Sequence, residues 1–146
     1  MIAIDTNVLI YACDRSEPRR QKIALDLIDE ATDGVLLWQV ACEFVAASRK
    51  LAKNGFTVQD AWNRLGEFMD VFPLIPPNAE ILNGAETLHL RYGVSFWDSL
   101  ILASCTQAKV ETLYSEDVPG HASLPGLRVI NPFAIDDPDR PDATES

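Results

Sequence analysis

Histidine and cysteine are scarce in this chain, and basic residues are outnumbered. Its 146 residues include 2 His and 3 Cys, and 12 Lys and Arg stand against 22 Asp and Glu, a formal net charge of −10. Proteins that grip nucleic acid by neutralising phosphates carry a basic surface, so this balance argues against plain nucleic-acid binding. Cys13, Cys42 and Cys105 are odd in number, widely spaced and set in largely apolar stretches. They read as reduced core residues of a cytoplasmic protein, which excludes a disulfide framework and a zinc site. His89 falls among leucines on a helical stretch and is given no role. No run reaches the roughly 18 apolar residues that a membrane span needs. The start, Met1 to Asp5, has no basic region and meets a carboxylate at once, so it does not read as a signal peptide.

What remains is a composition ordinary for a globular domain, with 47% hydrophobic and 23% charged residues. This length fits one core, and no internal repeat or interdomain linker interrupts it. The last eleven residues, Asp136 to Ser146, hold five acids and one arginine, so −4 of the charge belongs to them and −6 to the rest. They bear prolines and no large apolar side chain, which predicts a disordered tail after a domain spanning 1–135.

Four carboxylates sit where hydrophobic elements start, end or are broken: Asp5, Glu43, Asp98 and Asp117. A charge at such places costs free energy unless something offsets it, and a shared divalent cation would do so. Met1 to Ile4 reads as a buried strand, and Asp5-Thr6-Asn7 turns it into a helix over Val8–Ala12. Asp5 is then either an ordinary N-cap or a residue at a strand's carboxyl end, where open α/β sheets hold their ligands. Pro18 opens the next helix, with Ile23, Leu27, Ile28 and Ala31 on its inner side. Arg15, Arg19, Arg20 and Lys22 crowd its start, as a solvated face or as a phosphate-contacting rim.

Val35–Trp38 reads as a second strand, and a helix from Gln39 to Lys53 follows. Its stripe is Val40, Phe44, Ala47 and Leu51. Glu43 lies roughly 60° from Val40, at the stripe's edge, with Lys50 on the same flank. No cation stands three or four residues after Glu43 to pair with it. Lys50 is a solvated lysine or a phosphate contact. A helix over Thr57–Met69 should bury Val58, Ala61, Leu65 and Phe68. Val71–Ile75 reads as a strand that Pro73 confines to an edge. Asn78 caps a helix running to Arg91. Ser95 and Asp98 form a capping box for a helix through Leu100–Cys105, and that role is compatible with binding a ligand because a carboxylate has lone pairs to spare. Thr112–Ser115 and Leu127–Ile130 are the last strands. Asp117 follows the first of them, as a turn residue or a second acid at a strand end.

Strands alternating with helices predict a mainly parallel central sheet covered on both faces, a three-layer α/β/α sandwich. Asp5 and Asp117 would then share one rim of the sheet, near the starts of the helices that carry Glu43 and Asp98.

These residues resemble a known family. Ile4-Asp5-Thr6-Asn7 at the start, an isolated Glu43, the segment Tyr92-Gly-Val-Ser-Phe-Trp-Asp98-Ser-Leu-Ile and the strand end Leu113-Tyr-Ser115-Glu-Asp117 are similar, in order and spacing, to the PIN-domain ribonucleases. Among these they resemble the VapC-type toxins of bacterial toxin–antitoxin pairs. The resemblance implies that Asp5, Glu43, Asp98 and Asp117 are the acidic catalytic and metal-binding positions, with Asn7, Thr6 and Ser115 in support. It also implies Mg²⁺ or Mn²⁺, an RNA substrate, a homodimer, and a cognate antitoxin that inserts into the active-site groove. Two rival readings are phosphoryl transfer through an aspartyl intermediate at Asp5, and a catalytically silent protein-binding module. A PIN-type RNA-processing nuclease that is no toxin would share the same site.

Overall fold

The computed structural model describes residues 1–118 and 124–134. The expected boundary at 135 and the acidic tail from Asp136 lie outside these residues, as do Pro119 and Gly120 of the turn after Asp117.

The chain opens with β1 (Ile2–Ile4), followed by α1 (Thr6–Ala12) and α2 (Pro18–Glu30). Next come β2 (Gly34–Leu37), α3 (Trp38–Ala47), a 3-10 helix (Ser48–Asn54), α4 (Val58–Val71) and β3 (Leu74–Ile75). The order ends with α5 (Ala79–Tyr92), α6 (Phe96–Gln107), β4 (Thr112–Tyr114) and β5 (Arg128–Ile130). Every strand pairing is parallel, and the order across the sheet is β3-β2-β1-β4-β5. Ile2 is in register with Gly34 on one side and with Thr112 on the other. β1 and β2 are apolar throughout and nearly all buried, as strands covered on both faces must be.

The strand order explains the three layers. From β1 the chain steps outward to β2 and β3, then returns past β1 to β4. Crossovers of one hand taken in opposite directions put their helices on opposite faces. α1 packs on α2 and α3, and α3 on α4, while α5 and α6 pair with each other. The structure is thus the three-layer α/β/α sandwich expected. The core centres on Leu9, Val40, Phe44, Leu102 and Leu113, each essentially inaccessible to water. Full burial of one such side chain contributes about 1.5–3 kcal/mol. Phe44 and Phe68 meet edge to face at 5.3 Å, locking α3 to α4. Gly34 is required by close approach, because a Cβ there would lie 2.5 Å from the ring of Phe72.

Several local expectations change. The helix expected from Gln39 to Lys53 starts at Trp38 and gives way to the 3-10 helix at Ser48. Ser48 Oγ donates to the Val45 carbonyl at 2.8 Å, a local bond that competes with the helical ladder. Val58, expected inside, is 70% exposed, since it opens α4 just after the Thr57 cap, whereas Ala61, Leu65 and Phe68 are buried. The strand expected over Val71–Ile75 shrinks to two residues at the sheet edge because α4 runs through Val71. Cys105 is buried and Cys13 half-buried, but Cys42 is exposed on α3, so only one of the three is a full core residue.

Candidate active site

The point where the strand order reverses lies between β1 and β4, and there open α/β sheets form a crevice outside the carboxyl ends of their strands. Asp5 stands at that point. Its backbone N–H donates to the Tyr114 carbonyl at 2.9 Å, extending the β1–β4 ladder by one bond. Its side chain caps α1, with Oδ1 accepting from the Thr6 N–H at 2.7 Å. Oδ2 accepts from Ser115 Oγ, also at 2.7 Å. Ser115 Oγ in turn accepts from the Val118 N–H at 3.0 Å, which fixes the turn that carries Asp117. The N-cap role and the strand-end role of Asp5 therefore coexist.

Glu43 sits in the second turn of α3, half-buried. Thr6 Oγ1 donates to its Oε2 at 3.0 Å and Gln39 Nε2 to its Oε1 at 2.7 Å. The partner lies four residues before Glu43, one helical turn back. Gln39 also reaches the Trp97 carbonyl at 3.4 Å and so ties α3 to the start of α6.

Ser95 caps α6, its Oγ accepting from the Asp98 N–H at 3.4 Å. The other half of the expected capping box is not made. Among the described residues the Asp98 carboxylate accepts no hydrogen bond, and neither does that of Asp117. Asp98 stays half-buried in the first helical turn, where the helix dipole stabilises a negative charge. A complete box forms instead at α4, between Thr57 and Asp60.

All four acids line one recess of about 100 Å³, together with Thr6, Asn7, Gln39, Trp97 and Ile101. Among the described residues no Lys, Arg or His side chain lines it. Burial pushes the Asp5 carboxyl above its ordinary pKa, the bonds from Ser115 and Thr6 oppose this, and the charges of Glu43 and Asp117 raise it further. The recess thus gathers four carboxylates with no cationic side chain among the described residues that line it. Asn7 Oδ1 accepts from the Glu116 N–H at 3.3 Å, bracing the strand end from below.

The donor set is all oxygen, which suits Mg²⁺ or Mn²⁺. Among the described residues no three acidic, His or Cys side chains close into a ready-made cage. Magnesium does not need one, since it keeps several waters and takes one or two carboxylates. The unengaged carboxylate of Asp98 and the remaining lone pairs of Asp5 meet that requirement.

Of the cations read as phosphate contacts, only Lys50 borders the site. A cleft of about 530 Å³ shares Thr6, Asn7, Glu43 and Asp117 with the recess and extends to Arg49 and Lys50. Arg15 instead donates to the Asn54 carbonyl at 2.6 Å, holding the end of the 3-10 helix. Arg19 lies on α2 and lines neither hollow. Arg20, which the sequence showed as one of a crowd, pairs with Glu116 and lies about 5.0 Å from the centre of the Tyr11 ring. Arg49 and Gln39 carried no signal in the sequence beyond their neighbours' positions. On the far side of Trp97 a separate apolar groove runs between α3, α5 and α6, past Trp38, Cys42 and Leu82.

A parallel three-layer α/β domain with acids gathered at its switch point defines the class of protein. The chain belongs to the PIN domain family, whose profile matches residues 2–118. Among solved structures it is similar to a chain of a toxin–antitoxin complex from Klebsiella pneumoniae. That match has 21% identity and a TM-score of 0.64, covering 91% of this chain and 98% of the other. It is also similar to a chain of VapBC2 from Rickettsia felis, solved bound to a DNA fragment from its promoter. Here identity is 17% and the TM-score 0.63, over 90% of this chain and 98% of that one. These likenesses are likenesses of fold, and at that level they agree with the VapC-type resemblance of the sequence. A search of curated proteins finds no match.

Proposed function

We propose that this chain is a metal-dependent endoribonuclease that hydrolyses RNA phosphodiester bonds, and that it is the toxin of a toxin–antitoxin pair. The observation that carries the reading is the convergence of Asp5, Glu43, Asp98 and Asp117 on one recess at the sheet's switch point. Membership of the PIN family supports nuclease chemistry, and the toxin–antitoxin complexes among the structural neighbours support a cognate antitoxin. In this reading the protein works in the cytoplasm as a homodimer, and the antitoxin blocks access to the recess.

Asp5 and Asp98 would hold Mg²⁺ or Mn²⁺ directly, with Glu43 and Asp117 completing the acidic set around it. When bound, such an ion would supply activation of water and neutralisation of charge on the phosphoryl oxygens. The chain's own contribution is placement. Ser115 and the Thr6 N–H fix Asp5, while Gln39 and Thr6 Oγ1 fix Glu43. Such outer partners set the orientation of ligands. An aspartyl-phosphate route is less well supported, because both Asp5 oxygens are engaged and the position two residues on is Asn7.

The test is cleavage of total and transfer RNA by purified protein free of antitoxin. It is run with Mg²⁺ or Mn²⁺, with EDTA, and with Asp98→Asn in parallel. Discrete fragments that require both metal and Asp98 are expected. Full activity of a folded Asp98→Asn protein would overturn the assignment of that residue. Absence of both cleavage and metal binding would favour the silent binding module.

A further inference from the structure

Ser115 reaches Asp5 and Asp117 lines the acidic recess, but the carboxylate between them does neither. Glu116 lines neither the recess nor the adjoining cleft. The chain leaving β4 sends alternate side chains to opposite sides, as a strand does. A fifth acid thus stands beside the other four and is turned away from them.

On its own side Glu116 is gripped by the first two helices. Arg20 of α2 donates to Oε2, and the Tyr11 hydroxyl of α1 donates to Oε1 at 3.3 Å. Arg20 also donates to the Tyr11 hydroxyl, again at 3.3 Å. Its guanidinium packs on two rings, 5.0 Å from the centre of Tyr11 and 5.2 Å from that of Phe133. Those rings meet edge to face at 5.0 Å. Phe133 is buried and lies beyond residue 118, where the family match ends. The guanidinium is therefore fixed in place as well as paired.

Asp117 has no such hold of its own. Among the described residues its carboxylate accepts no hydrogen bond, so the backbone on either side sets its direction. Before it, the Glu116 N–H donates to Asn7 Oδ1; after it, the Val118 N–H donates to Ser115 Oγ.

We propose that Arg20 is a positioning residue for Asp117: by holding Glu116 on the outer side of the turn, it keeps the next acid aimed into the recess. This rests on the metal-dependent reading of the recess and adds to it a residue of α2 that lines neither hollow. It also explains how an acidic site tolerates a fifth acid beside it, since a charge-assisted bond compensates that carboxylate.

Two effects of Arg20 on a divalent cation have opposite signs. As a positive charge near four carboxylates it repels the cation, so its removal would tighten Mg²⁺ binding. As the residue that places Asp117 it favours the cation, so its removal would loosen binding. The repulsion is the weaker, because Glu116 already compensates the guanidinium and solvent reaches both side chains, each about a quarter exposed. The positional effect wins.

The test is Mg²⁺ affinity by calorimetry on Arg20→Met, which keeps an apolar stem against Tyr11 and Phe133. Affinity should fall about 10–100-fold. In an Asp117→Asn background the same substitution should change affinity little, because the residue it acts through is gone. Arg20→Lys keeps the charge and loses the planar fork, so it should recover part of the loss. It also serves should Arg20→Met fail to fold, and should then bind Mg²⁺ more weakly than the unaltered protein. Thermal unfolding in EDTA identifies any loss that comes from the fold.

Unchanged or tighter binding in Arg20→Met overturns the proposal. An equal loss in the Asp117→Asn background does so too, and makes Arg20 a general support of the fold. The expected loss, with no RNA cleavage by the unaltered protein, would keep the positioning role and remove the nuclease reading. No Mg²⁺ binding by the unaltered protein would remove the metal site, and the proposal with it.

Discussion

Ser115 Oγ donates a 2.7 Å hydrogen bond to Asp5 Oδ2, joining two residues 110 positions apart across the β1–β4 pair. Ser115 is 1% exposed, and the same oxygen accepts the Val118 N–H, so one hydroxyl orients Asp5 and closes the turn that carries Asp117. Ser115→Ala leaves a buried carboxylate oxygen without its donor and a backbone N–H without its acceptor. Stranded buried groups cost about 1–3 kcal/mol each to create. Urea unfolding should therefore show a lower midpoint with an unchanged slope. Mg²⁺ affinity by calorimetry should fall about 10–100-fold, the usual effect of removing a ligand's supporting bond.

Asp5 itself should oppose the stability of the metal-free fold. Burial, above all, holds its carboxyl above the ordinary value of 3.8, so the folded state binds this proton more tightly than the unfolded chain does. The stability it contributes is complete below 3.8 and is lost as pH rises through its raised folded value. Asp5→Asn keeps an oxygen for the Thr6 N–H and removes the titration. In EDTA, the melting temperature of the variant should gain on that of the unaltered protein as pH rises to neutrality. Saturating Mg²⁺ should then stabilise the unaltered protein and not the variant. A difference in melting temperature between variant and parent that stays constant with pH in EDTA would contradict this account.

Gln39 is expected to matter for activity more than for stability. It bridges Glu43 and the Trp97 carbonyl from a half-buried position, so its loss releases the acid without opening a cavity. Gln39→Ala should reduce metal-dependent cleavage about 10–100-fold while shifting thermal unfolding by little, as kinetics and calorimetry on the same preparation would show. Equal loss in both would make Gln39 a packing residue.

The three thiols should separate by reactivity. Cys105 is buried beside the acidic site, and burial, with the Asp5 charge, pushes its pKa up to about 12. Burial also raises that of half-buried Cys13. Cys42 is exposed. A thiol reagent at pH 8 should label Cys42 rapidly in the native protein, Cys13 slowly, and Cys105 only after denaturation, with mass spectrometry assigning the sites. Prompt labelling of Cys105 in the folded state would show that the core around β4 opens.

The sandwich was legible because its signals are local. Ala3 and Ile4 are buried, Pro18 opens α2 and Asn78 caps α5 where their chemistry requires, and Pro73 marks the edge strand that β3 became. The misreadings arose where a local bond or a cap position competed with periodicity. The Ser48 bond to Val45 tightened the end of α3 into a 3-10 helix, and the place of Val58 at the first turn of α4 left it in water. At the site, Asp5, Asp98 and Asp117 each had an ordinary explanation taken singly. The capping box of Ser95 and Asp98 was the strongest of these, and its side-chain half is absent, which leaves that carboxylate for the recess.

By itself the sequence determined the order of strands and helices along the chain, that the sheet is mainly parallel, and which four carboxylates interrupt apolar elements. Hydrophobic period, caps and breakers act over a few residues and need no knowledge of the rest of the chain. Only the tertiary structure decided that those acids share one recess, that Ser115 and Gln39 are the residues that orient them, and that Lys50, joined by Arg49, borders the site while Arg15 is spent on Asn54. Those relationships join residues up to 110 positions apart, and they are fixed by strand order and register, which bring the end of β4 alongside the end of β1.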